Sequence, residues 1–260
     1  MEIGYSSSTK LLLRYLSEEA KNEIDRYIEE HRSNESVNYN FKKDTDEFER
    51  NLSDDEYMTI RLYTGTNYKN INAVFRNTWN YEDNGDSSKK NYYQKLGEDI
   101  SNVIDKYPEL KNNIKTFRGT SLREFKKYGV TSLDDLKQLE GKYLYEEGFT
   151  STSLEEKSSF FNRKIFGEIQ NIEVIYHVSA TSRDGMPVLS KDLSYAINQK
   201  EYLLNKNCLS KVLKVEIKDD TAVVEVLLIP QKLWNKEKYI EIEKVDTTHK
   251  KWYNKTTRKC

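Results

Sequence analysis

In the first part of the chain the apolar positions recur every third or fourth residue, and from Ile114 onward they alternate or run together in short blocks. Leu13, Leu16, Ala20, Ile24, Tyr27 and Ile28 form a stripe between charged residues, which predicts an amphipathic packing helix. Residues 33–44 are polar and aperiodic and read as a loop or linker. At Ser53-Asp54-Asp55-Glu56 an S-x-x-E capping box lies between Leu52 and Tyr57, which stand as a hydrophobic staple. A helix is expected to start there and to stop near Gly65. A further helix is predicted over 67–77, where Tyr68, Ile71, Val74 and Phe75 share one face. Beside that face Asn72 and Arg76 stand four apart, placed to address a common partner. Residues 81–90 read as a loop, and Leu96, Ile100, Val103 and Ile104 mark a helix ending near Pro108.

Beyond Ile114 the β-type runs are 114–118, 142–145, 149–153, 172–178, 201–204, 211–217 and 221–229, with a helical segment over 122–139. The last two strands flank Lys218-Asp219-Asp220, a hairpin turn. A helical first half followed by a strand-rich second half predicts an α+β architecture with a mainly antiparallel sheet. After Pro230 the expectation weakens to one edge strand over 239–243 and a basic terminus, 249–260, carrying Trp252 and Tyr253. Interleaved base and aromatic can touch nucleic acid or lipid, but a frayed end is the simpler reading.

Composition narrows the chemistry. The 260 residues carry 42 Lys plus Arg against 43 Asp plus Glu, a formal net charge of -1, so charge makes no case for nucleic acid or anionic membrane as partner. Cys208 and Cys260 stand in no metal-ligand spacing, and His31, His177 and His249 are scattered, so neither a zinc site nor a Cys-His pair is supported. The available chemistry is that of carboxylate, amide, hydroxyl and guanidinium. No run approaches the ~20 apolar residues of a membrane-spanning helix. Residues 1–6 lack the basic and apolar regions of a secretory signal. The chain is therefore expected to act where it is made or to be exported by a leader or partner outside this sequence.

Three polar stretches carry candidate chemistry. In Asn198-Gln199-Lys200-Glu201-Tyr202-Leu203-Leu204, a strand period would put Gln199 and Glu201 on one side of the backbone. Phe117-Arg118-Gly119-Thr120 offers a cation at a strand end followed by a flexible residue, and Gly148-Phe149-Thr150-Ser151-Thr152-Ser153 is a hydroxyl-rich strand. A guanidinium suits a phosphate or pyrophosphate, since its planar fork binds oxygen pairs. A carboxylate can accept from a ribose hydroxyl and stabilise positive charge at an anomeric carbon, and a neighbouring hydroxyl can orient it. The set fits a reaction at an N-glycosidic bond next to a pyrophosphate. NAD has both, although the chemistry alone does not single it out.

The order of these stretches resembles the Arg, Ser-Thr-Ser and Gln-x-Glu signature of bacterial toxin-type mono-ADP-ribosyltransferases, carried by Arg118, by Ser151-Thr152-Ser153 and by Gln199-Lys200-Glu201. Ile71-Asn72-Ala73-Val74-Phe75-Arg76 is similar to that family's Ile-Asn-x-x-x-Arg helix, and Phe160-Phe161-Asn162-Arg163 to its loop beside the nicotinamide phosphate. The resemblance covers roughly 52–230 and implies a helical lobe on two twisted sheets that form an NAD cleft. It implies a helical extension at 1–44, a transferase domain at 45–230 and a tail at 231–260. NAD would be a substrate and no metal would be needed. Asn72 and Arg76 would contact the adenosine and phosphate part, Arg118 a phosphate, and Gly119 would allow close backbone approach. Ser151 would orient Glu201, Thr152 and Ser153 would shape the cleft strand, and Phe160 and Arg163 would close over the nicotinamide half. Glu201 would be the catalytic carboxylate.

Gln199 would meet the acceptor. Arginine-modifying members usually carry a second glutamate there; a neutral amide instead pairs with the amide of Asn or Gln. This makes the single-domain exoenzymes that modify an asparagine of Rho-type small GTPases the nearest comparison, and implies a monomeric secreted toxin acting in the host cytosol. Those exoenzymes usually have an aromatic just ahead of the Gln; here it is Tyr195, followed by Ala196, Ile197 and Asn198. The alternatives are an NAD glycohydrolase, with water as acceptor, and a non-catalytic, partner-binding toxin component, against which the presence of Glu201 argues.

Overall fold

The computed structural model describes residues 6–32, 41–110, 113–156, 164–165, 168–169, 174–180, 184–195 and 200–235. The stripe from Leu13 to Ile28 belongs to two helices, α1 (Ser7–Tyr15) and α2 (Glu18–His31). Between them Leu16 is extended, and the Ser17 hydroxyl accepts from Ala20 N at 3.1 Å. A serine cap outweighs continuity of the stripe, because its side chain satisfies an amide that the helix leaves without a partner. Residues 33–40 of the expected linker lie outside the described residues, but α3 (Phe41–Arg50) begins within its span, with Phe41 buried against the Tyr202 ring.

The capping box opens α4 (Asp54–Leu62) as expected: Ser53 Oγ accepts from Glu56 N, and Glu56 Oε2 accepts from Ser53 N at 2.9 Å. The helix runs into a wide, π-type turn, Tyr63–Asn67, in which Gly65 leaves helical geometry at φ -82°, ψ -127°. Then follow α5 (Tyr68–Phe75), α6 (Tyr81–Asn84) and α7 (Ser87–Lys106). The loop expected over 81–90 is replaced by helix because the side chains of Asn80 and Asp86 cap the next turns, accepting from Glu82 N and Lys89 N.

The strands are β1 (Ile114–Thr120), β2 (Tyr143–Glu146), β3 (Thr150–Ser153), β4 (Lys164–Ile165), β5 (Glu168–Ile169), β6 (Val174–Ala180), β7 (Gly185–Val188), β8 (Glu201–Leu204), β9 (Cys208–Lys218) and β10 (Thr221–Ile229), followed by the short helix α8 (Gln231–Trp234). Eight strands form one ladder in the order β2-β9-β10-β6-β1-β3-β8-β7, and β4 and β5 pair separately. All pairs are antiparallel except β10 with β6. The two sheets of the expected architecture are joined here: β1 and β3 share the pair Phe117↔Ser153, and this narrow seam links the β2-to-β1 half to the β3-β8-β7 half. The segment 122–139 forms two tight helical turns, Leu122–Tyr128 and Asp134–Leu139, divided at Gly129, whose φ of 86° ends the first. β7 escapes the sequence pattern because it is short and contains Pro187, which an edge strand tolerates. The expected strand at 239–243 and the basic terminus lie outside the described residues. No described helix is long and apolar enough to cross a membrane.

β10 is buried on both faces. Ala222, Val224, Val226 and Leu228 enter the main core with Ile60, Ile71 and Ile100 of the helical lobe. Leu227 and Ile229 point the other way, into a second core with Leu16, Ala20, Ile24 and Ile28 of α1 and α2. This two-sided burial is why 221–229 reads as a nearly unbroken apolar run.

In the main core, α5 and α7 approach closely at Gly97, where an added Cβ would stand 2.1 Å from the Phe75 ring. That ring is itself packed edge-on against Phe149. Overpacking costs about 1–3 kcal/mol, and alanine's helix preference over glycine returns about 1 kcal/mol. Gly97→Ala is expected to lower the urea midpoint, by the equivalent of about 1 kcal/mol of stability net of that return. An unchanged or raised midpoint would show that Phe75 is free to give way.

Candidate active site

Arg118, Ser151 and Glu201 come from three consecutive strands of the ladder, β1, β3 and β8. Ser153 lies opposite Glu201 and Ser151 opposite Leu203, so Ser151, Ser153, Glu201 and Leu203 share a face. Glu201 is only 5% exposed. Burial pushes its carboxyl above the usual range, and a hydrogen bond from the Ser151 hydroxyl only partly offsets this. Ser151 is also hydrogen-bonded to the Tyr63 hydroxyl, at the start of the wide turn. Burial, with the nearby Glu201 charge, holds Tyr63 firmly neutral. Asn72 Nδ2 donates to the Tyr63 hydroxyl at 3.4 Å, closing a line Asn72–Tyr63–Ser151–Glu201. On the opposite face of β3, Thr152 Oγ1 donates to Tyr202 O at 2.7 Å, which locks β3 to β8.

Asn72 and Arg76, expected to address a common partner, both reach the Phe149 backbone. Asn72 accepts from Phe149 N at 2.8 Å and donates to Phe149 O at 3.2 Å, and Arg76 Nη2 donates to the same carbonyl at 3.2 Å. The Asn72 amide thus acts as a strand partner for the residue entering β3. Arg76 Nε also donates to Glu146 Oε1 at 2.6 Å. Gly148 makes this packing feasible, since a Cβ there would lie 2.8 Å from Asn72 Oδ1 and 2.9 Å from Arg76 Nε.

Arg118 Nη1 donates to Ser151 O at 3.2 Å, and Nη2 donates to Glu124 Oε1 at 2.7 Å. Burial disfavours the Arg118 charge, but Glu124 outweighs it and holds the guanidinium above its ordinary pKa. Burial likewise raises the Glu124 carboxyl, and Arg118, together with a hydrogen bond from Thr120 and the Arg76 charge, brings it below the usual range. A cavity of about 230 Å³ opens beside these pairs, lined by Arg76, Arg118, Glu124, Lys127 and Glu146 among its polar groups and by Leu144, Val178, Val226 and Leu228 beneath. Ser151 and Glu201 do not line it; Arg118 belongs to both places.

The alternation expected to place Gln199 on the side of Glu201 falls on a residue outside the described ones. β8 begins at Glu201, and Lys200 has φ 45°, a left-handed conformation that breaks the pleat. The Lys200 carbonyl accepts from Leu154 N at 3.0 Å, which fixes that turn. Gln199, Phe160 and Arg163 lie outside the described residues. Gly119 sits within β1, opposite Ile175.

Tyr63, Glu124 and Glu146 carry much of this geometry and were not singled out from the sequence, whereas Gly148 was named there as the head of the hydroxyl-rich stretch. Among the described residues no group of three or more His, Cys, Asp or Glu is placed to hold a metal ion.

A comparison with curated proteins gives no match. Among solved structures, Plx2a, an ADP-ribosyltransferase toxin from Paenibacillus larvae, aligns at 25% identity and a TM-score of 0.54, covering 72% of this chain and 92% of that one. C3stau2 from S. aureus, solved with NAD, aligns at 17% identity and a TM-score of 0.56 over 75% of this chain and 98% of its own. The Clostridium limosum C3 exoenzyme gives 18% identity and a TM-score of 0.55 over 75% and 97%. These two likenesses are of fold. The family model for ADP-ribosyltransferase exoenzymes matches residues 38–249, a span that contains the described site, and the chain accordingly belongs to the ADP-ribosyltransferase exoenzyme family, as an NAD-dependent ADP-ribosyltransferase.

Proposed function

We propose that this enzyme breaks the nicotinamide–ribose bond of NAD and transfers ADP-ribose to a side-chain amide, an asparagine of a Rho-type small GTPase. In this reading it is a secreted toxin acting as a monomer in the host cytosol, with residues 45–230 as the transferase domain. The observation that carries the catalytic part is the Glu201 carboxylate, buried at the head of β8 and oriented by a neutral hydroxyl. A carboxylate so placed is suited to accept from the ribose 2′-hydroxyl and to stabilise the oxocarbenium ion that forms as nicotinamide leaves. Nicotinamide departs as a neutral group, so the reaction asks little of a general acid.

Ser151 orients Glu201. Arg118 and Arg76 are the phosphate ligands, exchanging their carboxylate partners Glu124 and Glu146 for pyrophosphate oxygens. Asn72 acts through Phe149 to set the entry to β3 on the adenosine side. Gly119 lets the backbone approach the substrate, Thr152 and Ser153 hold the cleft strand, and Phe160 and Arg163 cover the nicotinamide and phosphate half. Gln199 pairs with the acceptor amide, which supports asparagine or glutamine over arginine as the modified residue. The test of the acceptor is labelled NAD incubated with a eukaryotic-cell extract, followed by mass spectrometry. Label on an asparagine of a Rho-type GTPase is expected; label released only as free ADP-ribose would favour the glycohydrolase.

Glu201→Gln is expected to reduce nicotinamide release and transfer by about 10²–10³-fold or more, while NAD binding by calorimetry survives. Unchanged turnover would sink the assignment. Gln199→Ala is expected to damage protein transfer far more than NAD hydrolysis, and equal loss of both would move Gln199 to the NAD side. Ionised Glu201 is the active form, and burial raises its folded pKa. The acid limb of kcat/KM for NAD hydrolysis should therefore lie above the ordinary carboxylate range. Ser151→Ala removes the bond that lowers this pKa, so its limb should move to higher pH; a limb that stays put would remove Ser151 from this role. The same raised pKa means that Glu201 favours the fold most when protonated, a contribution lost as pH rises through the folded value.

A further inference from the structure

The chain ahead of Gln199 is anchored from below. Arg61 Nη1, from α4, donates to the Asp192 carbonyl, and Thr64 Oγ1, in the wide turn, donates to the Leu193 carbonyl at 2.9 Å. Leu193 and Ser194 are buried, whereas Tyr195 stands 64% exposed. The Arg61 guanidinium carbon lies 4.4 Å from the centroid of the Tyr195 ring, a cation–π contact. The other side of the ring's setting is Gly65, where an added Cβ would be 3.3 Å from Tyr195 Cε2. A fourth tether comes from α3, where Glu49 is hydrogen-bonded to Ser190. The backbone is thus pinned while one large aromatic is presented outward at fixed orientation.

We propose that Arg61, Thr64 and Gly65 form a dock that positions the acceptor-binding segment, with Arg61 and Thr64 as positioning residues for protein transfer. The inference rests on the reading above that the segment leading to Gln199 faces the acceptor. An aromatic held in place before binding loses less freedom on contact, so the dock raises acceptor affinity by preorganisation. Tyr63, the neighbour of Thr64, belongs to the Glu201 line, so one turn touches the catalytic network on its inner side and the acceptor segment on its outer side. The side chains of Arg61 and Thr64 reach the carbonyls of Asp192, Arg61 and Leu193 rather than the groups of that line, which is why their loss should spare the chemistry at NAD.

The test compares wild type, Arg61→Met, Arg61→Lys and Thr64→Val, with biotin-labelled NAD and a eukaryotic cytosol extract titrated as acceptor. Hydrolysis of NAD without extract is measured beside it. Arg61→Met and Thr64→Val are each expected to need about tenfold more extract for half-maximal labelling, equivalent to about one hydrogen bond's contribution. Hydrolysis should remain that of wild type with the melting temperature lowered by only about 2–4 °C, and Arg61→Lys, which keeps a cation beside the ring, should recover part of the loss. Wild-type labelling by both variants, or equal loss of labelling and hydrolysis, would overturn the dock. Gln199→Ala separates the two levels of the argument. If it lowers labelling while the dock variants do not, the dock alone fails; if it too labels as wild type, the acceptor-side reading fails and takes the dock with it.

Discussion

The burial of one carboxylate governs the arrangement around the site. Removing Glu201 from water disfavours its charged form, and the pull in the other direction comes from the hydroxyl of Ser151, a neutral group. The guanidiniums are treated differently: Arg118 is paired with Glu124, and Arg76 with Glu146. Under the proposed assignment this contrast has chemical sense. A carboxylate already neutralised by a cation has little to offer a developing oxocarbenium ion, whereas one held by a hydroxyl in a water-poor setting keeps its field for that charge. The paired guanidiniums stay fixed in charge and position, with carboxylates that a doubly charged pyrophosphate can displace. The trade is that folding must accommodate a poorly solvated acid.

That accommodation depends on the order of strands. β1, β3 and β8 are separated in sequence, yet stand side by side, and the seam between β1 and β3 is the single pair Phe117↔Ser153. Arg118 reinforces it by donating to Ser151 O across the seam. The same guanidinium therefore stitches the two halves of the ladder and sits at the mouth of the neighbouring cavity. From the helical side, Asn72 supplies the missing strand-like partner to Phe149, so α5 completes the sheet where the next strand is absent. Gly148 and Gly97 are the points at which helix, strand and helix approach too closely for a side chain.

The sequence carried the elements whose signal is local. The capping box at Ser53, the two-sided apolar run of β10 and the start of β8 at Glu201 are recovered where the pattern put them. Breaks were harder to see: Ser17, Asn80 and Asp86 each start a helix by capping, and in a chain this rich in polar residues a single cap is easily lost among its neighbours. At the site, the order of Arg118, Ser151 and Glu201 was readable, and so was the pairing of Asn72 with Arg76. Its object was not, because a backbone carbonyl leaves no mark in the sequence. Tyr63 was equally silent: it ends a helix, and only the fold reveals that its hydroxyl reaches Ser151.

Lys200 marks the point at which the sheet takes hold of Glu201. With Lys200 at φ 45° and its carbonyl held by Leu154 N, the pleat starts at Glu201. Earlier in the chain, Arg61 and Thr64 hold the carbonyls of Asp192 and Leu193. A left-handed lysine carries a strain of about 1–2 kcal/mol, which the surrounding contacts must sustain. Glu201 is thus fixed by the sheet, while Asp192, Leu193 and Tyr195 are held by helix α4 and the wide turn. Under the proposed assignment the NAD chemistry and the acceptor side therefore hang from different elements, so a change at Arg61 or Thr64 need not disturb the ladder that holds Glu201.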